Sequence, residues 1–236
     1  MNYHWNWGIF TEQVKGGDET YLDWLATGLG WTLAVSLTAW LLALAIGIAV
    51  GALRTSPSRW LAMLGTAWVE LFRNIPLLVQ MFLWFFVVPE FLPRDWSLWV
   101  KQEMPAKEFV TAALCLGFFT SARVAEQVRA GVGSLPRGQR DAALALGLTL
   151  PQALRIVIPP LTSEFMNVFK NSSIAFAIGV MELTFQARQM QEDSEQGIET
   201  YLAVTVLYFI CAFTANRGMA WIEARTRVPG LIARTS

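Results

Sequence analysis

Histidine and cysteine are almost missing from this 236-residue chain, which has one histidine, His4, and two cysteines, Cys115 and Cys211. So small a supply excludes a His/Cys metal cluster and a Cys–His nucleophile pair. Both cysteines lie in apolar runs, where a thiol acts as a small hydrophobe, and no disulfide framework is implied. Charge is scarce too. Only 15% of residues are Asp, Glu, Lys or Arg, against about a quarter in an average soluble domain. Eighteen basic residues balance eighteen acidic ones, so there is no basic footprint for nucleic acid. The pattern GxxxxGK[ST] is absent, which removes a Walker-type nucleotide site. No hydroxyl nucleophile sits in a motif with a base, and no carboxylates are paired for acid–base work. The opening MNYHWNWGIF lacks the basic and apolar regions of a cleavable signal, so the first apolar run is expected to target the chain.

What is abundant is apolar. Hydrophobic residues make up 54% of the chain and mean hydropathy is +0.41. Several runs approach or exceed the ~18 residues that span hydrocarbon. A soluble protein could not cover so much apolar area. The composition predicts an all-α polytopic membrane protein, with five transmembrane helices.

Taken in order, residues 1–29 mix Trp5, Trp7, Tyr21 and Trp24 with acidic residues. Such a segment suits the membrane–water interface and is expected to be a surface element with no role of its own. The first span is Gly30 to Leu53, with Gly47 and Gly51 as a small-xxx-small pair that permits close helix approach. The second runs from about Trp60 to Val88, and Glu70, Arg73, Asn74, Pro76 and Gln80 interrupt its middle. Proline bends a helix, and charges within a span usually face a bundle interior or an aqueous cavity. Arg73 and Gln80 are therefore candidates for a functional surface. The competing reading is that Glu70 and Arg73 simply pair at i,i+3. The third span begins near Phe109, reaches Arg123 and continues as a polar helix to Ala130. A fourth follows Pro160, and on it Glu164, Asn167, Lys170 and Asn171 share one helical face. A polar stripe on a membrane helix points to a cavity or a partner. The last span starts near Tyr201 and is interrupted by Asn216 and Arg217.

Lys and Arg in the short loops set the orientation. Arg54, Arg59, Arg129, Arg137, Arg140, Arg155, Arg225, Arg227 and Arg234 fall on one side, and Lys15, Arg94, Lys101, Lys107 and Arg188 on the other. The first set is expected to be cytoplasmic. That places the N-terminus outside (periplasmic), the C-terminus inside and Ser134–Pro160 in the cytoplasm. The stretch SLPRGQRDAALALGLTLPQALRIVIPP is the longest soluble-looking interruption in the chain. It reads as a short helix, a bend at Gly147 and a stop at Pro159–Pro160, suited to seating in a partner's groove.

That stretch resembles the coupling loop of ABC-importer permeases, with Asp141, Ala142, Ala143, Gly147, Pro159 and Pro160 at the motif positions. WNWGIF, VELFRNIPLLVQ, SARVAEQVRAGVGSLPRGQRDAALALGLTLPQA, RIVIPPLTSEFMNVFKNSS and RVPGLI extend the resemblance over almost the whole chain. They are similar to the polar amino acid permease family, and most of all to its glutamate/aspartate branch. The resemblance implies a type I (MetI-like) permease fold, with residues 30–224 as the permease domain, 134–160 as its coupling loop and 225–236 as a cytoplasmic tail. It implies a bacterial inner-membrane location and glutamate/aspartate import. It implies a second, homologous permease, a periplasmic amino-acid-binding protein and separate ATPase subunits. ATP and Mg would be bound by the ATPase, and this chain would hold no cofactor and be no enzyme itself. It also implies a substrate pathway lined by Glu164, Asn167, Lys170 and Asn171, where Lys170 would meet a substrate carboxylate and a neutral Asn171 would suit an acidic cargo. The other classes weighed are an ATP-independent secondary transporter or channel, which usually carries inverted repeats not visible here, and a structural membrane protein, which leaves the polar stripes unexplained.

The chain departs from the family where PQA runs directly into LRIVIPP, at Ala153–Leu154. Roughly nine residues, about two and a half helical turns, are expected to be missing from the second arm of the loop. Gly147→Asp places charge and bulk at the bend and is expected to abolish ATPase docking while leaving membrane insertion intact. Intact binding-protein-stimulated ATP hydrolysis in that variant would remove Gly147 from the coupling.

Overall fold

In the computed structural model, residues 3–133 and 149–226 are described. Asp141, Ala142, Ala143 and Gly147 of the expected coupling loop lie outside them. Helix α1 spans Tyr21–Arg54, α2 Arg59–Asn74, α3 Leu77–Phe82, α4 Arg94–Leu98 and α5 Lys107–Gly133. Then come α6, Thr149–Ser172, α7, Leu183–Ser194, and α8, Gly197–Thr226. Short 3-10 and π turns join them, and the described residues contain one isolated β-bridge, Gln13 with Thr20.

The seam between α1 and α5 is the centre of the packing. Gly47 and Gly51 face α5 so closely that a Cβ at Gly47 would lie 2.5 Å from Val124 Cβ and 2.9 Å from the Ser121 carbonyl. At Gly51 the nearest atom would be Val128 Cβ, at 2.6 Å. With no side chain on one helix, the other approaches to backbone contact. Around this seam, Val35, Ala39, Trp40 and Ala43 of α1 pack with Cys115, Leu116 and Phe119 of α5, Met81 of α3 and Val168 of α6.

Three helices, α1, α5 and the Gly197–Ile222 part of α8, are long and apolar enough to cross a membrane. A further apolar segment, Arg59–Asn74 with Leu77–Phe91, is bent by 101° at its break, the geometry of a broken span or a re-entrant loop. The fourth expected span corresponds to α6, which has 24 residues and reaches about 36 Å at 1.5 Å per residue. It is not among the helices apolar enough by composition. Its polar stripe is the reason, and packing against α1, α5 and α8 shelters it. In α5, 61% of the most apolar window is buried, against 17% in α8, so α5 is central and α8 peripheral. Large apolar side chains such as Leu41 and Phe209 point outward, as a hydrocarbon surround requires.

Three sequence expectations are corrected. Residues 3–20 do not form a surface element without a role. They make a strap whose Ile9 and Val14 are buried with Leu183, Ala187 and Met190 of α7. The Asn6 amide donates to Glu199 Oε1 at 2.8 Å, and Tyr21 Oη donates to Asp193 at 2.5 Å. That phenol hydrogen bond, with Lys15 beside it, holds the Asp193 carboxyl below its ordinary range. Helix α1 starts at Tyr21, where Thr20 and Asp23 form a capping box, so residue 29 falls inside the helix. Second, Pro159–Pro160 does not stop a helix, because α6 runs through both. A proline removes one hydrogen bond and bends a helix more readily than it ends one that is packed. Third, Asn216–Arg217 does not interrupt the last helix. Arg217 lies over the Phe213 ring at 5.3 Å, and its aliphatic stem is compatible with an apolar helix.

Gly47→Leu is expected to cost about 1–3 kcal/mol through overpacking, read as a lower Tm in detergent. Gly30→Leu, where a Cβ meets nothing within 4 Å, should leave Tm unchanged. Equal Tm for the two variants would contradict the tight α1–α5 seam.

Candidate functional site

The polar stripe forms on α6. Glu164 is 9% exposed and turned toward α5, Asn167 and Asn171 are half-buried, and Lys170 is exposed. The opposite side carries Phe165, Val168 and Phe169. Val168 and Phe169 are buried, and the Phe165 ring packs on Trp40 at 5.2 Å. The stripe is therefore graded. One edge enters the protein and the other opens outward.

At the buried edge, Arg123 Nη1 of α5 lies 3.8 Å from Glu164 Oε2. This is within ion-pair range but beyond hydrogen-bond range, and Glu164 Oε2 has no hydrogen-bond partner among the described residues. The Arg123 guanidinium also lies 4.9 Å over the Phe119 ring. Arg123 was legible as part of a polar helix end, but its meeting with Glu164 depends on how α5 and α6 pack. At the exposed edge, Lys170 has no ion-pair partner among the described residues.

The stripe ends in a change of helix type. Ser172 and Ser173 donate back to the Phe169 and Lys170 carbonyls at 2.7 and 2.8 Å. Such local bonds compete with the α-helical ladder, and a 3-10 turn, Ser173–Ile178, follows. Gly179, at φ 90°, closes it, a conformation that glycine adopts without strain.

Arg73 and Gln80 stand at the α2–α3 bend. Ile75 is extended before Pro76, as the residue preceding proline prefers. The break frees carbonyls at the end of α2, and Gln80 Nε2 donates to two of them, Phe72 O and Ile75 O, each at 2.8 Å. Gln80 is 2% exposed, and its amide nitrogen is committed to bracing the bend. Arg73 is exposed. The competing Glu70–Arg73 pair is not formed among the described residues; Glu70 accepts instead from Asn74 Nδ2 at 2.7 Å. Of the coupling-loop positions, Pro159 and Pro160 fall within the helical backbone of α6.

The sequence reading missed Glu182 and one partner of Glu126. Glu182 is fully buried at the α7 N-cap, where it accepts from Thr184 N, Phe185 N and Tyr208 Oη at 3.0, 3.0 and 2.7 Å. Glutamate is not a preferred N-cap, so composition gave no signal. Glu126 of α5 joins Arg54, at the end of α1, to Arg129. The i,i+3 spacing suggested the second partner but not the first.

Residues 43–228 match the family described as "Binding-protein-dependent transport system inner membrane component". The chain belongs to this family of membrane permease components, and its all-α polytopic fold is that of a type I, MetI-like permease. Over 241 positions it is 46% identical to the glutamate/aspartate import permease protein GltJ of Escherichia coli (strain K12), covering 98% of each chain. It is 30% identical to the glutamate/aspartate import permease protein GltK of Escherichia coli O6:H1, with 87% of this chain and 94% of that one aligned. A crystal structure of an amino acid ABC transporter with histidines matches 87% of the chain and 95% of its own, with TM-score 0.74 and 27% identity. An inward-facing MetNI methionine ABC transporter shares the fold at TM-score 0.70 and 19% identity, over 88% and 98% of the two chains.

Gln80→Met keeps the bulk of Gln80 but removes both hydrogen bonds. It is expected to cost about 1–3 kcal/mol by leaving buried carbonyls unpaired, read as a lower Tm. An unchanged Tm with altered uptake would move Gln80 from the brace to the substrate path.

Proposed function

We propose that this chain is the membrane permease subunit of an ATP-driven importer for acidic amino acids, glutamate and aspartate above all. The observation that carries the reading is the 46% identity to a glutamate/aspartate import permease across 98% of both chains. The α6 stripe supplies compatible chemistry. Lys170 is an exposed cation on a helix among the spans, beside the neutral Asn171, and Arg123 is a second cation on the buried side. Cations within a membrane protein are costly and usually mark a substrate path. Glu164, Asn167, Lys170 and Asn171 line that path, and the buried amide of Gln80 keeps the bent α2–α3 helix in shape beside it.

The work of ATP falls to separate ATPase subunits, which hold ATP and Mg and seat on the cytoplasmic loop containing Asp141, Ala142, Ala143 and Gly147. A second, homologous permease completes the membrane unit. Similarity to two differently named permeases for the same substrates, GltJ and GltK, supports such a pairing. A binding protein delivers the amino acid, as the family description implies. The Lys and Arg distribution supports an outer N-terminus and a cytoplasmic C-terminus in the inner membrane.

The test is a radiolabelled uptake panel in cells carrying the neighbouring transporter subunits. Lys170→Ala is expected to reduce glutamate and aspartate uptake about tenfold, the effect of about 1.4 kcal/mol of lost interaction. Unchanged uptake kinetics would remove Lys170 from the path. Uptake by the chain reconstituted alone, driven by an ion gradient, would overturn the ATP-driven reading.

A further inference from the structure

A cleft of about 600 Å³ opens between α3, the Ser173–Ile178 turn and α7, within the size range of small-molecule sites. Phe82, Phe176 and Phe185 supply its apolar wall. Its polar wall is one turn of α7, carrying Arg188, Gln189 and Glu192. Arg188 Nε donates to Glu192 Oε1 at 2.8 Å, and both side chains are 62% exposed. An exposed i,i+4 pair of this kind contributes little to stability, so its two charges are available to a ligand carrying the opposite pair.

Every free α-amino acid carries such a pair, a carboxylate and an ammonium one carbon apart. The carboxylate complements Arg188, the ammonium complements Glu192, and the Gln189 amide can donate to one and accept from the other. The aromatic wall offers contact to the carbon skeleton of any side chain. One wall of the cleft follows directly in sequence from Lys170 and Asn171. The other, α7, is the helix on which the N-terminal strap docks, at the end of the molecule that the charge distribution places outside.

We propose that this cleft is an entry site that takes the α-amino and α-carboxyl groups of the incoming amino acid, whatever its side chain, before the side chain is read at the α6 stripe. The inference rests on the amino-acid reading above. It differs from that reading in assigning head-group recognition to α7 and side-chain recognition to α6.

The test uses the complete transporter in vesicles, loaded with its binding protein, and counts amino acid moved per ATP hydrolysed. Arg188→Gln combined with Glu192→Gln removes both charges with little change of shape. The ratio is expected to fall about tenfold for glutamate and aspartate alike, with the second permease and the ATPase still co-purifying. An unchanged ratio overturns the proposal and leaves the cleft to lipid. Loss of the second permease on purification also overturns it, making the cleft a subunit seam. A fall for only one of the two amino acids overturns the claim that recognition ignores the side chain. If the unaltered transporter moves neither, the amino-acid reading fails first.

Discussion

The backbone contact between α1 and α5 at Gly47 and Gly51 sets the positions of everything else. In hydrocarbon there is no hydrophobic drive between helices, because lipid tails are as apolar as leucine. What holds two spans together is close van der Waals contact, and absent side chains are the means of getting it. With α1 fixed on α5, Trp40 and Ala43 form a floor on which α6 and α3 pack. Arg54 also reaches Glu126 at the end of the same seam. The α6 stripe therefore inherits its position from two glycines of α1, one of which packs on Val124, the neighbour of Arg123.

The buried polar side chains divide by whether they brace a helix end. Glu182 accepts three hydrogen bonds and Gln80 donates two. Both are braces, one at the start of α7 and the other at the α2–α3 break. Glu164 makes no such brace; its Oε2 has an ion-pair neighbour and, like Gln80 Oε1, no hydrogen-bond partner among the described residues. A buried carboxylate left this way is costly, and it stands on the helix that the proposed function gives to the substrate path.

Much of this was legible in the sequence. The apolar runs gave the membrane class, Pro76 gave the break, and the spacing of Glu164, Asn167, Lys170 and Asn171 gave the shared face. What was not legible depends on contact between distant segments. The spacing of the stripe does not say which edge is buried, since that requires knowing where α5 lies. Gln80 reads as a polar residue in a span, and only the geometry of the break shows that its amide meets orphan carbonyls. Pro159–Pro160 and Asn216–Arg217 failed as boundaries because local propensity yields to the packing of a long helix. The strap was misread because its apolar partners, Leu183, Ala187 and Met190, are some 170 residues away.

That strap bears on how the chain is assembled. Asn6 and Glu199 are 193 positions apart, yet they are hydrogen-bonded. A chain made and inserted from its N-terminus emits residues 3–20 first and then must wait for α7 and the start of α8 before they have anywhere to dock. Throughout synthesis, Ile9 and Val14 lack the surface that buries them. The closing step of the fold thus joins the first part made to nearly the last, and a truncated product lacking α7 and α8 would keep a loose N-terminus, open to proteases on its side of the membrane.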